Sequence, residues 1–150
     1  MADRESVVIL DYGSQYTQLI ARSVREQHVY AEILPWDVPL ARLEALAPKG
    51  LILSGGPNSV YDAGAPALSQ AVTALGVPVL GICYGMHLLA QALGGRVVPG
   101  DAREYGPADV DILDTEALLF AGMASRQAVW MSHGDRIATL PPGFRELARS

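Results

Sequence analysis

Residues 77–93 read VPVLGICYGMHLLAQAL, and this stretch decides the fold of the chain. Its first part, residues 77–82, is short and apolar, as is typical of a strand buried in a parallel sheet. Residues 84–93 fit a helix that is closed by the two glycines at 94–95, because glycine commonly ends a helix. The pattern predicts a strand, a sharp turn at Cys83 and a helix.

The rest of the chain repeats this alternation of strand and helix. Strands are predicted at residues 7–10, 30–34 and 50–54, and helices at residues 16–26, 39–47 and 66–75 with Pro66 near the first turn of the last helix. Alternation with short connections indicates an α/β fold, namely a doubly wound, mostly parallel sheet with helices on both faces.

The pattern becomes rich in strands and less regular after residue 96. Short strands are predicted at residues 96–99, 110–113 and 128–131. Residues 144–150 look like the start of one more element without a closing turn. We therefore expect residues 1–150 to form one domain that is incomplete at its C-terminal end.

Composition excludes several classes of protein. Half of the 150 residues are hydrophobic, 18% are charged and the net charge is −5, which is typical of a globular domain. Without a basic stripe, nucleic acid is not an expected partner. No apolar run approaches the roughly 20 residues that span a membrane, and the charged N-terminus does not resemble a signal peptide. A single cysteine fits a reducing, cytoplasmic location.

The pattern Gly81-x-Cys83-x-Gly85 between a strand and a helix is that of a nucleophile elbow with cysteine in place of serine. Glycines flank the nucleophile because the strand and the helix crowd any Cβ at those positions. The partial positive charge of a helix N-terminus favours the thiolate, which is the attacking species. The alternative is that Cys83 is a small buried hydrophobic residue.

A thiolate that attacks a carbonyl group needs hydrogen-bond donors for the oxyanion. The backbone N–H of Tyr84 is one candidate, and the glycine-rich segment 54–57 can supply a second at the same end of the sheet. Taken alone, segment 54–57 is also a common turn.

Three histidines are candidates for a general base. His28 lies near the end of a predicted helix and is expected at the surface. His87 follows Cys83 by one helical turn, but its position on the helix wall is poor for a base. His133 lies in a polar segment, residues 130–135, which is predicted to be a loop after an apolar strand, and it is the histidine that we place in the site.

Four segments together resemble the class I (triad-type) glutamine amidotransferase family. They are ILDYGSQYTQL at 9–19, LSGGP at 53–57, GICYGM at 81–86 and VWMSHGD at 129–135. The second and third are shared by many amidotransferases. The first and fourth resemble the branch that forms the glutaminase domain of glutamine-hydrolysing GMP synthetases. The resemblance extends over nearly all of the chain.

This resemblance implies that Cys83 attacks the side-chain amide of glutamine, releases ammonia and forms a γ-glutamyl thioester. It implies that Gly56 and Tyr84 supply the oxyanion N–H groups. It places five residues around the substrate glutamine: Gly55, His87, Ser132, His133 and Gly134. No metal ion and no cofactor are implied for this chain.

The resemblance also implies a partner, an ATP pyrophosphatase (synthetase) domain or subunit that uses the ammonia to aminate XMP to GMP. ATP and magnesium are implied only for that partner, since nothing in the 150 residues resembles its nucleotide-binding loop.

Two departures from the family pattern bear on activity. The family usually has Gln where this chain has His87, at a position that contacts the substrate. The family's catalytic His and Glu belong to a His-Pro-Glu motif further downstream, which these 150 residues do not include. We therefore expect little or no turnover by this chain alone.

Three hypotheses remain open. The first is the glutaminase portion of a GMP synthetase, and the second is a non-catalytic module that binds or regulates a partner synthetase. An in-frame His-Pro-Glu motif after Ser150 favours the first, and a stop codon there favours the second. The third is another α/β enzyme with a cysteine elbow, such as a cysteine peptidase or a different amidotransferase.

Overall fold

The computed structural model describes residues 4–150, apart from the side chains of residues 102–104 and 133. The chain divides into two compact units, Met1–Ala92 and Leu93–Ser150. The first contains the predicted alternation of strands and helices, and the second contains the strand-rich segment.

The first unit is built on a parallel sheet of four strands in the order β2-β1-β3-β4. Its strands are β1 (Ser6–Asp11), β2 (Tyr30–Pro35), β3 (Gly50–Leu53) and β4 (Val79–Gly81). Its helices are α1 (Thr17–Glu26), α2 (Leu40–Leu46), α3 (Gln70–Ala74) and α4 (Tyr84–Ala92). Across the described residues, no helix has the length and apolarity that a membrane crossing requires.

Helices cover both faces of this sheet, as the side chains of the central strand β1 show. Leu10 packs into one apolar cluster with Leu43 of α2, whereas its neighbour Ile9 packs on the opposite face with Ala21 of α1. Successive side chains of a strand point to opposite faces, so a strand covered on both sides is apolar throughout. The prediction of a doubly wound, mostly parallel α/β fold is confirmed.

Two elements near the elbow are shorter than predicted. Helix α3 begins at Gln70 because the Ser69 hydroxyl accepts a hydrogen bond from the backbone N–H of Ala71 at 3.2 Å and caps the helix. Pro66 therefore lies before the helix rather than in its first turn. Strand β4 begins at Val79, since Pro78 has no N–H to contribute to the sheet.

The second unit holds an antiparallel sheet of three strands in the order β6-β5-β7. The strands are β5 (Arg96–Ile112), β6 (Arg126–Thr139) and β7 (Ala148–Arg149). The strands predicted at 96–99 and 110–113 are parts of β5, whose pairing shifts register between Pro99 and Glu104. The element predicted within 144–150 is β7, which pairs with the end of β5.

The prediction of a loop at residues 130–135 is wrong, because these residues lie inside strand β6. Ser132 pairs with Tyr105 and Asp135 pairs with Pro99 on the neighbouring strand. Polar residues also occur in a strand when one of its faces meets water, so a polar segment does not by itself indicate a loop.

Candidate active site

Cys83 lies at the sharp turn between β4 and α4, and its backbone φ is +52°. A left-handed conformation costs a residue with a Cβ about 1–2 kcal/mol, and such strain is typical of functional turns. The Cys83 carbonyl accepts the hydrogen bond of the His87 N–H at 3.0 Å, which closes the first turn of the helix. The thiol is exposed, which argues against the alternative of a small buried hydrophobic residue.

The two glycines of the elbow are required by close backbone packing. A Cβ on Gly81 would lie 2.7 Å from the backbone N and Cα of Met86, and a Cβ on Gly85 would lie 2.6 Å from the Cβ of Leu53. Carbon atoms do not approach this closely without a shift of the backbone. The packing therefore allows only glycine on either side of the Cys83 turn.

Hydrogen bonds attach the elbow to the end of β3. The Ile82 N–H donates to the Leu53 carbonyl at 2.9 Å, and the Gly85 N–H donates to the Ser54 carbonyl at 3.2 Å. A Cβ built on Gly55 would lie 3.3 Å from the Cβ of Cys83. The structure thus brings the glycine-rich segment and the cysteine together at the carboxyl edge of the sheet, as predicted.

The two candidate oxyanion donors are the amides of Gly56 and Tyr84. Among the residues that the structure describes, neither N–H donates a hydrogen bond to another protein group. The Cα of Gly56 is so close to Tyr12 that a Cβ there would lie 2.5 Å from the Tyr12 carbonyl oxygen. Free amides on a closely packed backbone are the kind of donor that an oxyanion needs.

The side chain of Tyr84 is turned into the protein. It is 3% exposed, and its hydroxyl donates a hydrogen bond to the Pro66 carbonyl. Burial, with a further contribution from the charge of Asp62, raises the pKa of Tyr84. Of Tyr84, only the backbone N–H therefore remains a candidate for the site.

Tyr12 packs against the buried ring of Tyr84, and sequence reasoning gave its side chain no role. Its ring centroid is 5.5 Å from that of Tyr84 and 6.2 Å from that of Trp36. Its buried hydroxyl has no hydrogen-bond partner among the described residues. Burial and then the neighbouring Tyr84 raise the pKa of Tyr12 to about 12.

Although Cys83 as a whole residue is exposed, partial burial of its thiol raises the pKa of that group. This direction is opposite to the one that the helix N-terminus predicts, because loss of water around the sulfur penalises the charged thiolate. A thiol with a raised pKa is mostly protonated at neutral pH, so a neighbouring base would favour its ionisation.

The three histidines fall in different surroundings. His28 lies at the surface in the turn after α1, with a φ of +62°, as predicted for a residue outside the site. His87 is 6% exposed and already has an interaction partner in the protein, although Cys83 one turn earlier is exposed. His133 pairs through its backbone with Glu104 in β6, and its side chain lies outside the described part of the chain.

The other substrate-binding positions divide between the two units. Gly55 is buried beside Cys83 in the first unit, and its contact with the substrate stays a prediction. Ser132, His133 and Gly134 lie on β6 in the second unit, so their role in a shared site stays a prediction. Within the described side chains, no group of three or more His, Cys, Asp or Glu could hold a metal ion.

Sequence reasoning also assigned no role to Ser54, which is fully buried and makes two side-chain hydrogen bonds, with Tyr12 and Gly55. The available signal was a polar residue directly after the apolar run of β3 and directly before two glycines. The large majority of buried hydroxyls are hydrogen-bonded, so a buried serine at that position indicates a structural partner.

The fold and the elbow define the class of the protein as a doubly wound α/β domain with a cysteine at the turn between a strand and a helix. The family model described as glutamine amidotransferase class-I matches residues 8–150. The chain belongs to this family, and the resemblance inferred from its motifs is confirmed.

Relatives make the likeness more specific. The chain is 62% identical to a GMP synthase [glutamine-hydrolyzing] of Thermomicrobium roseum, over 97% of this chain and 28% of the relative. It is 51% identical to a GMP synthase [glutamine-hydrolyzing] of Lacticaseibacillus rhamnosus, over 99% of this chain and 29% of the relative. The chain thus spans less than a third of the length of these relatives.

Solved structures agree on the fold. A Thermoplasma acidophilum protein assigned as a GMP synthase subunit has a TM-score of 0.80 at 28% identity, covering 99% of this chain and 74% of its own. A glutamine amidotransferase of Thermotoga maritima has a TM-score of 0.70 at 20% identity, covering 97% of this chain and 66% of its own. At that identity the second structure supports the fold alone.

Proposed function

We propose that this chain provides the nucleophile, Cys83, of a glutaminase that hydrolyses the side-chain amide of glutamine once a base is supplied, and that the ammonia serves the amination of XMP to GMP. The observation that carries the proposal is the exposed thiol of Cys83 in a left-handed elbow, directly beside the Gly55–Gly56 segment. Family membership and the names of the relatives select glutamine as the substrate and GMP as the product of the pathway step.

In the proposed reaction, the Cys83 thiolate forms a bond to the amide carbon of glutamine. The carbon–nitrogen bond then breaks, and the nitrogen leaves as ammonia after taking up a proton. The resulting γ-glutamyl thioester is hydrolysed by water, which gives glutamate and restores the thiol.

The negative charge that develops on the amide oxygen is stabilised by the N–H groups of Gly56 and Tyr84. Gly56 belongs to the loop after β3 and Tyr84 is the first residue of α4, and the two segments meet where Gly55 packs against Cys83. Loss of one such donor reduces the turnover of an enzyme by about 10²–10³-fold.

The raised pKa of Cys83 makes a base necessary for this chemistry at neutral pH. In the family pattern the base is the histidine of a His-Pro-Glu motif, which these 150 residues do not contain. His87 is buried with a partner of its own, which supports a place in the wall of the site rather than the role of base.

The proposed partner is an ATP pyrophosphatase domain or subunit, which uses ATP and magnesium to activate XMP for attack by ammonia. Support comes from the relatives named GMP synthase, of which this chain matches about 28–29%. No nucleotide chemistry is assigned to the chain itself.

Glutamine binding is the first test, and the Cys83→Ala variant allows it without consumption of the substrate. Titration calorimetry is expected to detect glutamine binding and at least tenfold weaker binding of asparagine, whose side chain is one methylene shorter. Absence of glutamine binding by the folded variant would overturn the proposal and favour the non-catalytic module.

The pathway assignment needs a second experiment. A synthetase subunit that aminates XMP with free ammonia is mixed with a protein in which these 150 residues are joined to a segment that carries the family's His-Pro-Glu motif, and GMP formation is measured with glutamine as the nitrogen source. Glutamine-dependent GMP that disappears in Cys83→Ala, while ammonia-dependent GMP persists, supports the assignment. Glutamine hydrolysis without any transfer to XMP would restrict the proposal to the glutaminase step.

A further inference from the structure

Ser54 occupies a fully buried position immediately after β3, and both of its side-chain hydrogen bonds are made within the protein. Its hydroxyl oxygen accepts from the Tyr12 N–H at 3.1 Å, and the hydroxyl donates to the Gly55 carbonyl at 3.1 Å. A hydroxyl has a single proton, and a backbone N–H can only donate, so the direction of both bonds is fixed. The chain of bonds runs from Tyr12 through Ser54 to Gly55.

The Gly55 carbonyl belongs to the same peptide unit as the Gly56 N–H. In a planar trans peptide these two groups point in opposite directions. Because the carbonyl is directed at a hydroxyl in the core, the Gly56 N–H must point away from the core. The exposed fraction of the residues agrees with this orientation, since it rises along the sequence from buried Gly55 through half-buried Gly56 to exposed Pro57.

Glycine alone would not hold this orientation. A peptide between two glycines can rotate as a unit at little steric cost, because neither residue carries a Cβ. Close contact of Gly56 with the Tyr12 carbonyl limits translation of the loop, but it provides no hydrogen bond to the peptide. Among the described residues, the Ser54 hydroxyl is the group that donates to the Gly55 carbonyl.

The backbone of Ser54 is hydrogen-bonded both to strand β1 and to helix α4. Its N–H donates to the Leu10 carbonyl of β1 at 3.1 Å, and its carbonyl accepts from the Gly85 N–H of the elbow helix at 3.2 Å. The residue that orients the Gly55–Gly56 peptide therefore also fixes the start of α4, where the second candidate donor, Tyr84, lies.

We propose that Ser54 is a positioning residue, whose buried hydroxyl sets the orientation of the Gly55–Gly56 peptide so that the Gly56 N–H faces the oxyanion formed at Cys83. This inference rests on the proposed function for the identity of the oxyanion. The orientation of the peptide is a structural claim that can be tested without it.

The structural test compares crystal structures of the wild type, Ser54→Ala and Ser54→Thr. The Gly55 carbonyl is expected to leave its inward orientation, or to occupy two orientations, in Ser54→Ala and to keep the single inward orientation in Ser54→Thr. An unchanged peptide in Ser54→Ala would overturn the proposal. If Ser54→Ala does not fold, NMR relaxation dispersion of the Gly56 amide in the wild type replaces this test. Exchange of the Gly55–Gly56 peptide between two orientations on the microsecond–millisecond timescale would also overturn the proposal.

The functional test measures alkylation of Cys83 by the chloroketone analogue of glutamine, with iodoacetamide as a reagent that needs no oxyanion donor. In Ser54→Ala the maximal rate with the chloroketone is expected to fall about tenfold or more, while its half-saturating concentration and the rate with iodoacetamide change less than about twofold. Ser54→Thr is expected to restore the chloroketone rate. Equal losses with both reagents would indicate a general disturbance of the elbow and overturn the positioning role.

Ser6 provides the matched control, since it is also buried but lies at the opposite end of the parallel sheet. Ser6→Ala is expected to leave both alkylation rates unchanged. If wild-type Cys83 reacts with iodoacetamide but shows no saturable reaction with the chloroketone, the proposed function fails. The crystal structures of the Ser54 variants still decide the positioning role in that case.

Discussion

Gly85 packs against Leu53 so closely that a methyl group on its Cα would lie 2.6 Å from the Leu53 Cβ. Leu53 is fully buried and ends β3, and its carbonyl also accepts the hydrogen bond of Ile82 at 2.9 Å. The last residue of β3 thus contacts the chain on both sides of Cys83, and the position of the thiol depends on the packing of this strand end.

The first prediction concerns that contact. Gly85→Ala is expected to destabilise the protein by about 2–3 kcal/mol, because the backbone of β3 or α4 must move to admit the methyl group. Gly50→Ala is the control, since a Cβ there would lie 3.5 Å from the Pro78 carbonyl, an ordinary contact. Urea unfolding measures the free energy of unfolding of both variants, and equal values would contradict the packing argument.

The second prediction concerns the strain at Cys83. Its φ of +52° is unfavourable for alanine and acceptable for glycine, so Cys83→Gly is expected to be about 1 kcal/mol more stable than Cys83→Ala. Glycine also gains freedom in the unfolded state, which lowers the stability of Cys83→Gly by about 0.4–1 kcal/mol. Urea unfolding measures both variants, and a Cys83→Gly variant less stable than Cys83→Ala by that full amount would mean that the elbow stores no strain.

The third prediction separates two neighbouring tyrosines. Tyr12→Phe removes a buried hydroxyl without a partner and is expected to leave stability unchanged or to increase it by up to about 2 kcal/mol. Tyr84→Phe removes the donor to the Pro66 carbonyl and is expected to cost about 1 kcal/mol. Thermal unfolding at pH 7 compares the two variants, and a more stable Tyr84→Phe would reverse the assignment.

The pH dependence of stability provides a further check on Tyr12. Its pKa rises from 10.0 to about 12 on folding, so its contribution is fully present below pH 10 and is lost as the pH rises toward 12. The wild type is expected to lose about 2–3 kcal/mol over this range through Tyr12, and Tyr12→Phe is expected to lose correspondingly less. If the free energy of unfolding of the two proteins falls equally between pH 10 and pH 12, the raised pKa of Tyr12 is contradicted.

The fourth prediction concerns the reactivity of the thiol. Burial raises the pKa of Cys83, so its alkylation by iodoacetamide is expected to reach half of the maximal rate at a higher pH than that of free N-acetylcysteine. Peptide mapping identifies the modified residue unambiguously, since the chain has a single cysteine. A midpoint below that of the free thiol would show that the helix N-terminus outweighs desolvation.

The sequence was sufficient to predict the first unit, since its strands are buried on both faces and its motifs lie where strands end. Glycines at 81 and 85 marked the elbow because the packing there tolerates no Cβ. The polar segment that contains Ser132 was misassigned as a loop, because an antiparallel strand with one face in water carries the same polar residues. The direction of the Cys83 pKa shift depends on how much water the fold removes, which local spacing does not reveal.

The roles of Ser54 and Tyr12 were equally out of reach from the sequence. Their mutual hydrogen bond joins residues 42 positions apart and exists only after β1 and β3 pair. Long-range pairing of this kind leaves no local period in a sequence, although a serine between an apolar strand and two glycines marks the position to inspect.

The most direct test of the central claim is the mass of the peptide that carries Cys83 after reaction with the chloroketone analogue of glutamine. The reaction is run at a pH high enough to form the thiolate, with and without glutamine or asparagine as a competitor. We predict saturable modification of Cys83 that glutamine suppresses and asparagine does not. Modification that glutamine fails to suppress, in a protein whose Cys83 reacts normally with iodoacetamide, would contradict the account.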